Sequence, residues 1–254
     1  MSRRPPATEW IYGRRTVAEH LKAAPSTCLR LLVAQGGRPP PELLSAASAL
    51  GLRPTETPKG DLDRLARGGN HQGVCLEVGG WGYADLEELA ARALRPGGFP
   101  LVLVLDSVQD PHNVGAILRV ADGAGAAGVI VPKDRAAGLS ASVARAAAGA
   151  LAAVPVAQVV NLARTLDELR ERGFWTLGAA GGAPVSLFEA DACFPCALVL
   201  GGEHKGLRPL VSSRCDALAS LPMAGTVSSL NVSVAAGIFS FELLRRWRAG
   251  GTPR

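Results

Sequence analysis

The chain lacks any apolar run of the roughly 20 residues that a membrane-crossing helix needs. Its opening, Met1-Ser2-Arg3-Arg4-Pro5-Pro6, lacks the apolar core of a secretory signal. Both absences point to the cytoplasm and away from a membrane. The five cysteines (Cys28, Cys75, Cys193, Cys196 and Cys215) are odd in number and scattered, so they do not form a disulfide framework. Cys193-Phe194-Pro195-Cys196 has C-x-x-C spacing, but a zinc site needs a second pair of ligands and none is present. A redox pair belongs at a helix start, and this one runs into the apolar stretch Ala197–Leu200. Reduced structural thiols and no metal are therefore expected. There is no Gly-x4-Gly-Lys-Ser/Thr phosphate loop. The one G-x-G-x-x-G, Gly123–Gly128, leads into Val129-Ile130-Val131 after a helix, the reverse of a dinucleotide fingerprint, and reads as a helix end and turn.

What is present is a globular composition, 48% hydrophobic over 254 residues, enough for one large domain or two ordinary ones. The net charge is +5, and the first 69 residues carry eleven Lys/Arg against six Asp/Glu. That excess favours a polyanionic partner without demanding one. Residues 1–80 read as a small α/β unit, with helices at 15–23, 41–50 and 62–65 and strands at 29–34 and after the His71-Gln72-Gly73 turn. Residues 81–100, with their Gly and Pro clusters around a short helix at 85–94, read as a linker. From 101 to 254 the pattern is regular. Strands are expected at 101–105, 128–131, 154–159, 174–178, 197–201 and 217–221, and helices at 114–123, 141–149, 161–172, 207–213 and 229–247. Such alternation implies a mostly parallel sheet covered on both faces.

Three stretches follow apolar strands and open towards helices. The first is Leu105 to Arg119, with Asn113 six residues before Arg119. The second is Gly201-Gly202-Glu203-His204-Lys205-Gly206. The third runs Leu221-Pro222-Met223-Ala224-Gly225-Thr226-Val227-Ser228-Ser229-Leu230-Asn231-Val232-Ser233-Val234-Ala235 into the last helix. Ser228 and Ser229 are the expected caps of that helix. Three strand ends thus present polar residues at one sheet edge, where open α/β sheets bind ligands.

Taken together, these stretches resemble the three motifs of the SpoU/TrmH class of SPOUT RNA ribose 2′-O-methyltransferases. They are Asn-x5-Arg (Asn113, Arg119), Gly-x-Glu-x-x-Gly (Gly201, Glu203, Gly206) and Pro-Met-x-Gly-x3-Ser-Leu-Asn-Val-Ser-Val-Ala (Pro222–Ala235). The resemblance implies S-adenosylmethionine as cofactor, a C-terminal trefoil knot and a homodimer with active-site residues from both chains. A ribose 2′-hydroxyl must lose its proton as it attacks, so its methylation needs a proton acceptor or a cation beside the forming alkoxide. The family assigns that activation to the motif-one arginine, here Arg119. Asn113 is expected in the loop at its strand end, orienting the reacting group or the arginine. Glu203 can pair with Arg119 or favour the sulfonium, and Ser229 and Asn231 complete the polar pocket. Positions matching the family's cofactor pocket are Ala179, Gly201, Leu221, Met223 and Leu230, with small residues at Gly202, Ala224 and Gly225 allowing close backbone approach. Ile238, Phe239, Phe241 and Leu243 wrap the last helix in a way that suits burial on two sides.

The start Trp10–Val17 and the His-Gln-Gly turn resemble the L30e-like RNA substrate-binding domain that precedes many of these catalytic domains. Arg14, Arg15, Arg64, Arg67, Asn70 and His71 are its candidate phosphate or base contacts; a solvated basic face is the alternative. Val131–Arg135 and Asn161–Thr165 look most like the branch acting on a guanosine of 23S rRNA, whereas His204-Lys205 departs from the smaller or acidic residues expected there. The remaining alternatives are a tRNA or antibiotic-resistance rRNA methyltransferase, and a non-catalytic RNA-binding or ribosome-assembly protein.

Overall fold

The computed structural model describes residues 8–79, 82–203, 205–250 and 252–253. The opening six residues, Gly80 and His204, each used in the sequence reading, lie outside them. The chain divides into two compact units. One comprises residues up to Gly82 together with Leu139–Ala152, and the other comprises Tyr83–Gly138 and Ala153 onward. No helix among the described residues is long and apolar enough to cross a membrane.

In the first unit, β1 (Glu9–Tyr12), α1 (Arg14–Ala23), β2 (Cys28–Ala34), α2 (Pro41–Ala49), β3 (Thr55–Thr57), α3 (Lys59–Leu65) and β4 (Val74–Val78) follow in order. The sheet order is β1-β4-β2-β3, antiparallel except for the parallel β2–β3 pair. Val17 and Leu21 recur at helical spacing on α1 and are buried with Ile11, Leu31, Leu43 and Leu76.

The second unit contains α4 (Leu86–Ala93), β5 (Leu101–Asp106), α5 (Pro111–Ala124) and β6 (Gly128–Pro132). The chain then enters the first unit as α6 (Ala141–Ala147) and α7 (Ala150–Ala153). It returns through β7 (Val156–Val159), α8 (Leu162–Glu171), β8 (Trp175–Ala179), β9 (Cys193–Phe194), β10 (Cys196–Gly201), α9 (Pro209–Ser212), β11 (Ala217–Ala219), α10 (Val232–Arg248) and β12 (Thr252–Pro253). Six strands form one parallel sheet in the order β11-β8-β10-β5-β6-β7.

The central strands are apolar throughout because both faces are covered. Val102, Val104, Ala197 and Val199 join the α4 and α8 side. Leu101, Leu103, Leu105, Leu198 and Leu200, pointing the other way, are also buried. The stretch expected as a linker is in large part an element of this unit: Leu89, Ala90 and Ala93 of α4 belong to its core. Gly128 is a consequence of that packing, since a Cβ there would sit 2.7 Å from Leu89 Cδ1 and 2.8 Å from the Pro155 carbonyl oxygen.

One local expectation is corrected. α10 is capped by Asn231, whose side chain accepts the Ser233 amide at 2.8 Å, and not by Ser228 or Ser229, which stay in the preceding loop. Asn caps at least as well as Ser, and its position fixes the start at Val232. On α10, Phe239 and Leu243 face the core while Val234, Ile238 and Phe241 are exposed. The cysteines are free thiols, and burial pushes Cys28 and Cys75 up to about 11 and Cys215 to about 12, so they stay protonated near neutrality.

α10 is tied down near its end. Glu242 accepts from Arg245 and Arg246, each at 2.8 Å, and Arg246 donates to the carbonyls of Ala190 and Leu187 at 2.6 and 2.5 Å. The hydrogen bond from Arg245, with that from Arg246, holds the Glu242 carboxyl at about 2 instead of its ordinary 4.5. A depressed carboxyl stabilises the fold above its unfolded value and loses that contribution as pH falls. Thermal unfolding is therefore expected to show wild type more stable than Glu242→Gln at pH 6, with the gap closing progressively from about pH 4.5 towards pH 2.

Candidate active site

Parallel strands deliver their carboxyl ends to one edge, and the polar motifs follow at that edge. Ala179 ends β8, Gly201 ends β10 and Asp106 ends β5. A cavity of about 560 Å³ opens there. Ala179, Gly201, Leu221, Met223 and Leu230, the five residues expected for the cofactor, all line it, as do Glu203 and Ser229. Gly181, Val232, Ala235 and Phe239, which were not expected as cofactor positions, also contribute walls. The last three are core positions of a helix by pattern, and nothing in the sequence says which end of that core stays open.

Gly201 makes the cavity's floor possible. A Cβ there would run into the Gly206 carbonyl group and the Leu207 amide nitrogen, because the 202–206 loop folds back with Gly206 N donating to Gly202 O at 2.9 Å. A Cβ on Gly202 would meet the Ser107 carbonyl oxygen at 2.5 Å.

The polar residues of the three motifs form one directed chain. Ser233 donates from its amide and hydroxyl to Asn231 Oδ1 at 2.8 and 2.6 Å. Asn231 Nδ2 donates to Asn113 Oδ1 at 3.0 Å, and Asn113 Nδ2 donates to Glu203 Oε1. Asn113 is buried, and it lies in the first turn of α5, not in the loop expected for it. Pro111 at the helix start and the Asp110 cap, which accepts the His112 amide at 2.8 Å, bring the helix forward to include it. Glu203 therefore pairs with Asn113 and not with Arg119. Six residues further along α5, Arg119 points about 120° round the helix from Asn113. It is exposed, and it forms no ion pair among the described residues.

Beside this chain lies a pair that sequence reading missed. Asp106, fully buried, accepts Arg208 N at 2.8 Å and Arg208 Nε at 2.6 Å. An acid ending five apolar residues was the available signal. The pair pins the loop after Gly206 to the end of β5, and Arg208, Lys205 and Glu203 line a second cavity of about 740 Å³ across the motif-two loop.

The candidate RNA-contacting residues lie in the first unit and differ in availability. Arg14 donates to Gln72 through its amide and Nε. Arg15 pairs with Glu19 and Arg64 with Asp61. Arg67 adopts a left-handed backbone (φ 48°), and Asn70 accepts the Gln72 amide at 3.3 Å. His71 is corrected to a structural role. Its ring is buried, Nδ1 accepts the Gly73 amide, and Nε2 is therefore the protonated nitrogen, donating to Asp63 at 3.0 Å.

Residues 100–241 match the SpoU rRNA Methylase family model, and residues 10–80 match the model for RNA 2′-O ribose methyltransferase substrate binding. The chain is 46% identical over 243 residues to the 23S rRNA (guanosine-2′-O-)-methyltransferase RlmB of Pseudomonas aeruginosa, covering 94% of this chain and 96% of that one. The AdoMet-bound rRNA methyltransferase of Sinorhizobium meliloti superposes with a TM-score of 0.72 at 26% identity, over 94% of this chain and 87% of that one. The SpoU methyltransferase AviRb of Streptomyces viridochromogenes, at 24% identity, shares the fold with a TM-score of 0.78 over 95% and 91% of the two chains. With more than half of its length matched by the family model, and with the motif residues gathered at one sheet edge, the chain belongs to the SpoU rRNA methylase family.

Proposed function

We propose that the chain transfers a methyl group from S-adenosylmethionine to the ribose 2′-hydroxyl of a guanosine in 23S rRNA. The observation that carries this is the meeting, in one cavity, of all five expected cofactor positions with Glu203, which heads the Asn113–Asn231–Ser233 chain. The residues fit the cofactor. Glycine and alanine walls leave room for an adenosyl group, Gly201 lets the 202–206 loop fold against the strand end beside that cavity, and a carboxylate lines it to face a cationic sulfonium. When bound, the cofactor supplies an electrophilic methyl group.

The protein's part is positioning and charge. The amide chain holds Glu203 in one orientation, because each amide is fixed at both ends. A guanidinium is a poor general base, so the role of Arg119 is to stabilise the alkoxide while water or an RNA phosphate takes the 2′-proton. Its place on the outside of α5 supports a homodimer in which it serves the partner's site. The neighbouring exposed apolar stripe Val234, Ile238 and Phe241 supports the same reading.

The finer features of the fold belong to this proposal. The second unit is a SPOUT domain with a trefoil knot, a reading supported by the 183–190 loop being held by Ser220 on one side and Arg246 on the other. Residues 1–80, which belong to the first unit, are read as an L30e-like RNA-binding domain, with Arg14, Arg15, Arg64, Arg67 and Asn70 as its contact residues.

Labelled S-adenosylmethionine incubated with unmodified 23S rRNA, 16S rRNA and tRNA transcripts tests the activity. Label is expected in 2′-O-methylguanosine from 23S rRNA, and Arg119→Ala is expected to lower kcat by roughly 10²-fold or more with cofactor affinity unchanged. Label in tRNA alone would overturn the substrate, and absence of both label and cofactor binding would overturn the reading. Gly201→Ala, whose Cβ would push the 202–206 loop off the strand end and disturb the cavity it lines, is expected to weaken cofactor binding by roughly tenfold or more in a calorimetric titration.

A further inference from the structure

The family model for substrate binding ends at residue 80, yet the unit containing those residues is completed by Leu139–Ala152. That segment is fixed where it lies. Glu9 Oε2 accepts the Ala141 amide at 2.6 Å, Ser140 Oγ caps α6 by accepting the Val143 amide at 3.3 Å, and Ala141 enters the same core as Ile11 and Leu76. It carries Arg145, an exposed residue of α6, to a cavity of about 330 Å³ also lined by Tyr12, Arg15, Thr16, Asn70 and Gln72.

The chemistry of that cavity is one-sided. Asn70 Oδ1 already accepts the Gln72 amide and Gln72 Oε1 already accepts the Arg14 amide at 3.0 Å, so the side-chain groups these two have left are NH2 donors. Arg15 has its Nε on Glu19, and its remaining nitrogens donate only. Arg145 gives Nη2 to Ser142 Oγ at 3.0 Å and has no carboxylate partner among the described residues. The hydroxyls of Tyr12 and Thr16 can turn to donate. No carboxylate lines the cavity. A site that offers two guanidiniums and two amide donors, and no side chain that only accepts, selects a ligand rich in acceptor oxygen and negative charge.

We infer that this cavity is a phosphate-binding subsite for the RNA backbone, and that Arg145, which lies far in sequence from the rest of the site, is its principal unpaired cation. The inference rests on the RNA-methyltransferase reading and names a site by which the first unit holds the substrate. Neither S-adenosylmethionine nor the reacting ribose is involved, so the site sets RNA affinity and leaves the methyl-transfer step alone.

The test uses the full-length chain with Arg145→Gln. Arg164→Gln serves as control, since it removes another exposed charge, one that is paired to Glu168 in the other unit. Binding of a 23S rRNA transcript is measured over a range of salt concentrations, together with the KM for RNA, kcat and the Kd for S-adenosylmethionine. Arg145→Gln is expected to weaken RNA binding and raise its KM roughly tenfold, and to flatten the log–log salt slope by about 0.7–0.9, with kcat and cofactor Kd unchanged. RNA affinity equal to wild type, or a loss no larger than that of Arg164→Gln, overturns the inference. Binding of inorganic phosphate that Arg145→Gln abolishes while RNA affinity stays constant would mark a free-anion site and overturn the RNA assignment. If wild type binds RNA but methylates none, the proposed activity falls, and the binding comparison still decides this subsite.

Discussion

The side chain of Asn113 bonds at both of its ends, and the site depends on that arrangement. Its carbonyl oxygen takes Asn231 and its amide takes Glu203. Through it, the helix after β5, the loop after β10 and the start of α10 are locked together, although Glu203 lies 90 and Asn231 118 residues from Asn113. Each amide has a defined orientation only because its other end is occupied, so the direction of the whole chain is set by the Ser233 donors at its far end. A buried amide left half-bonded would cost about 1–3 kcal/mol. All three segments must therefore be in place for any one of them to be stable there.

The parallel sheet supplies the frame for this lock. β5 and β10 lie side by side at its centre, and Asp106 and Gly201 are register partners at their ends. A buried carboxylate therefore stands beside a residue with no side chain. Asp106 draws in Arg208, and Gly201 lets the loop leading to Arg208 fold over the strand end. The charge and the gap work together: without the gap the loop could not close, and without the charge it would have no anchor.

Most of the second unit was legible in the sequence because its strands are buried on both faces and read as continuous apolar runs. The expected strands at 101–105, 128–131 and 197–201 each fall within a residue of those observed. β1 and β3, only four and three residues long, carry no such run and were not expected. The five positions expected for the cofactor were named from the motifs, and one cavity brings them together. What stayed hidden was partnership. Glu203, for which a pair with Arg119 or a role facing the sulfonium was expected, accepts from Asn113. His71 was a candidate RNA contact, and its ring nitrogens bond Gly73 and Asp63 instead. The pattern of α6 identifies an apolar face but not the sheet against which it lies, so its place in the first unit was beyond sequence reading.

That placement sets an order on synthesis. The backbone passes between the units at 82/83, 138/139 and 152/153. A nascent chain that has released only its first 82 residues has the four strands of the first sheet, but the apolar surface that Leu139, Ala141, Ala144 and Leu151 will cover is still open to water. The first unit to emerge from the ribosome is thus not the first to be finished. Its core closes only after β5, α5 and β6 have also been made, which ties completion of the N-terminal unit to the arrival of the central strands of its neighbour.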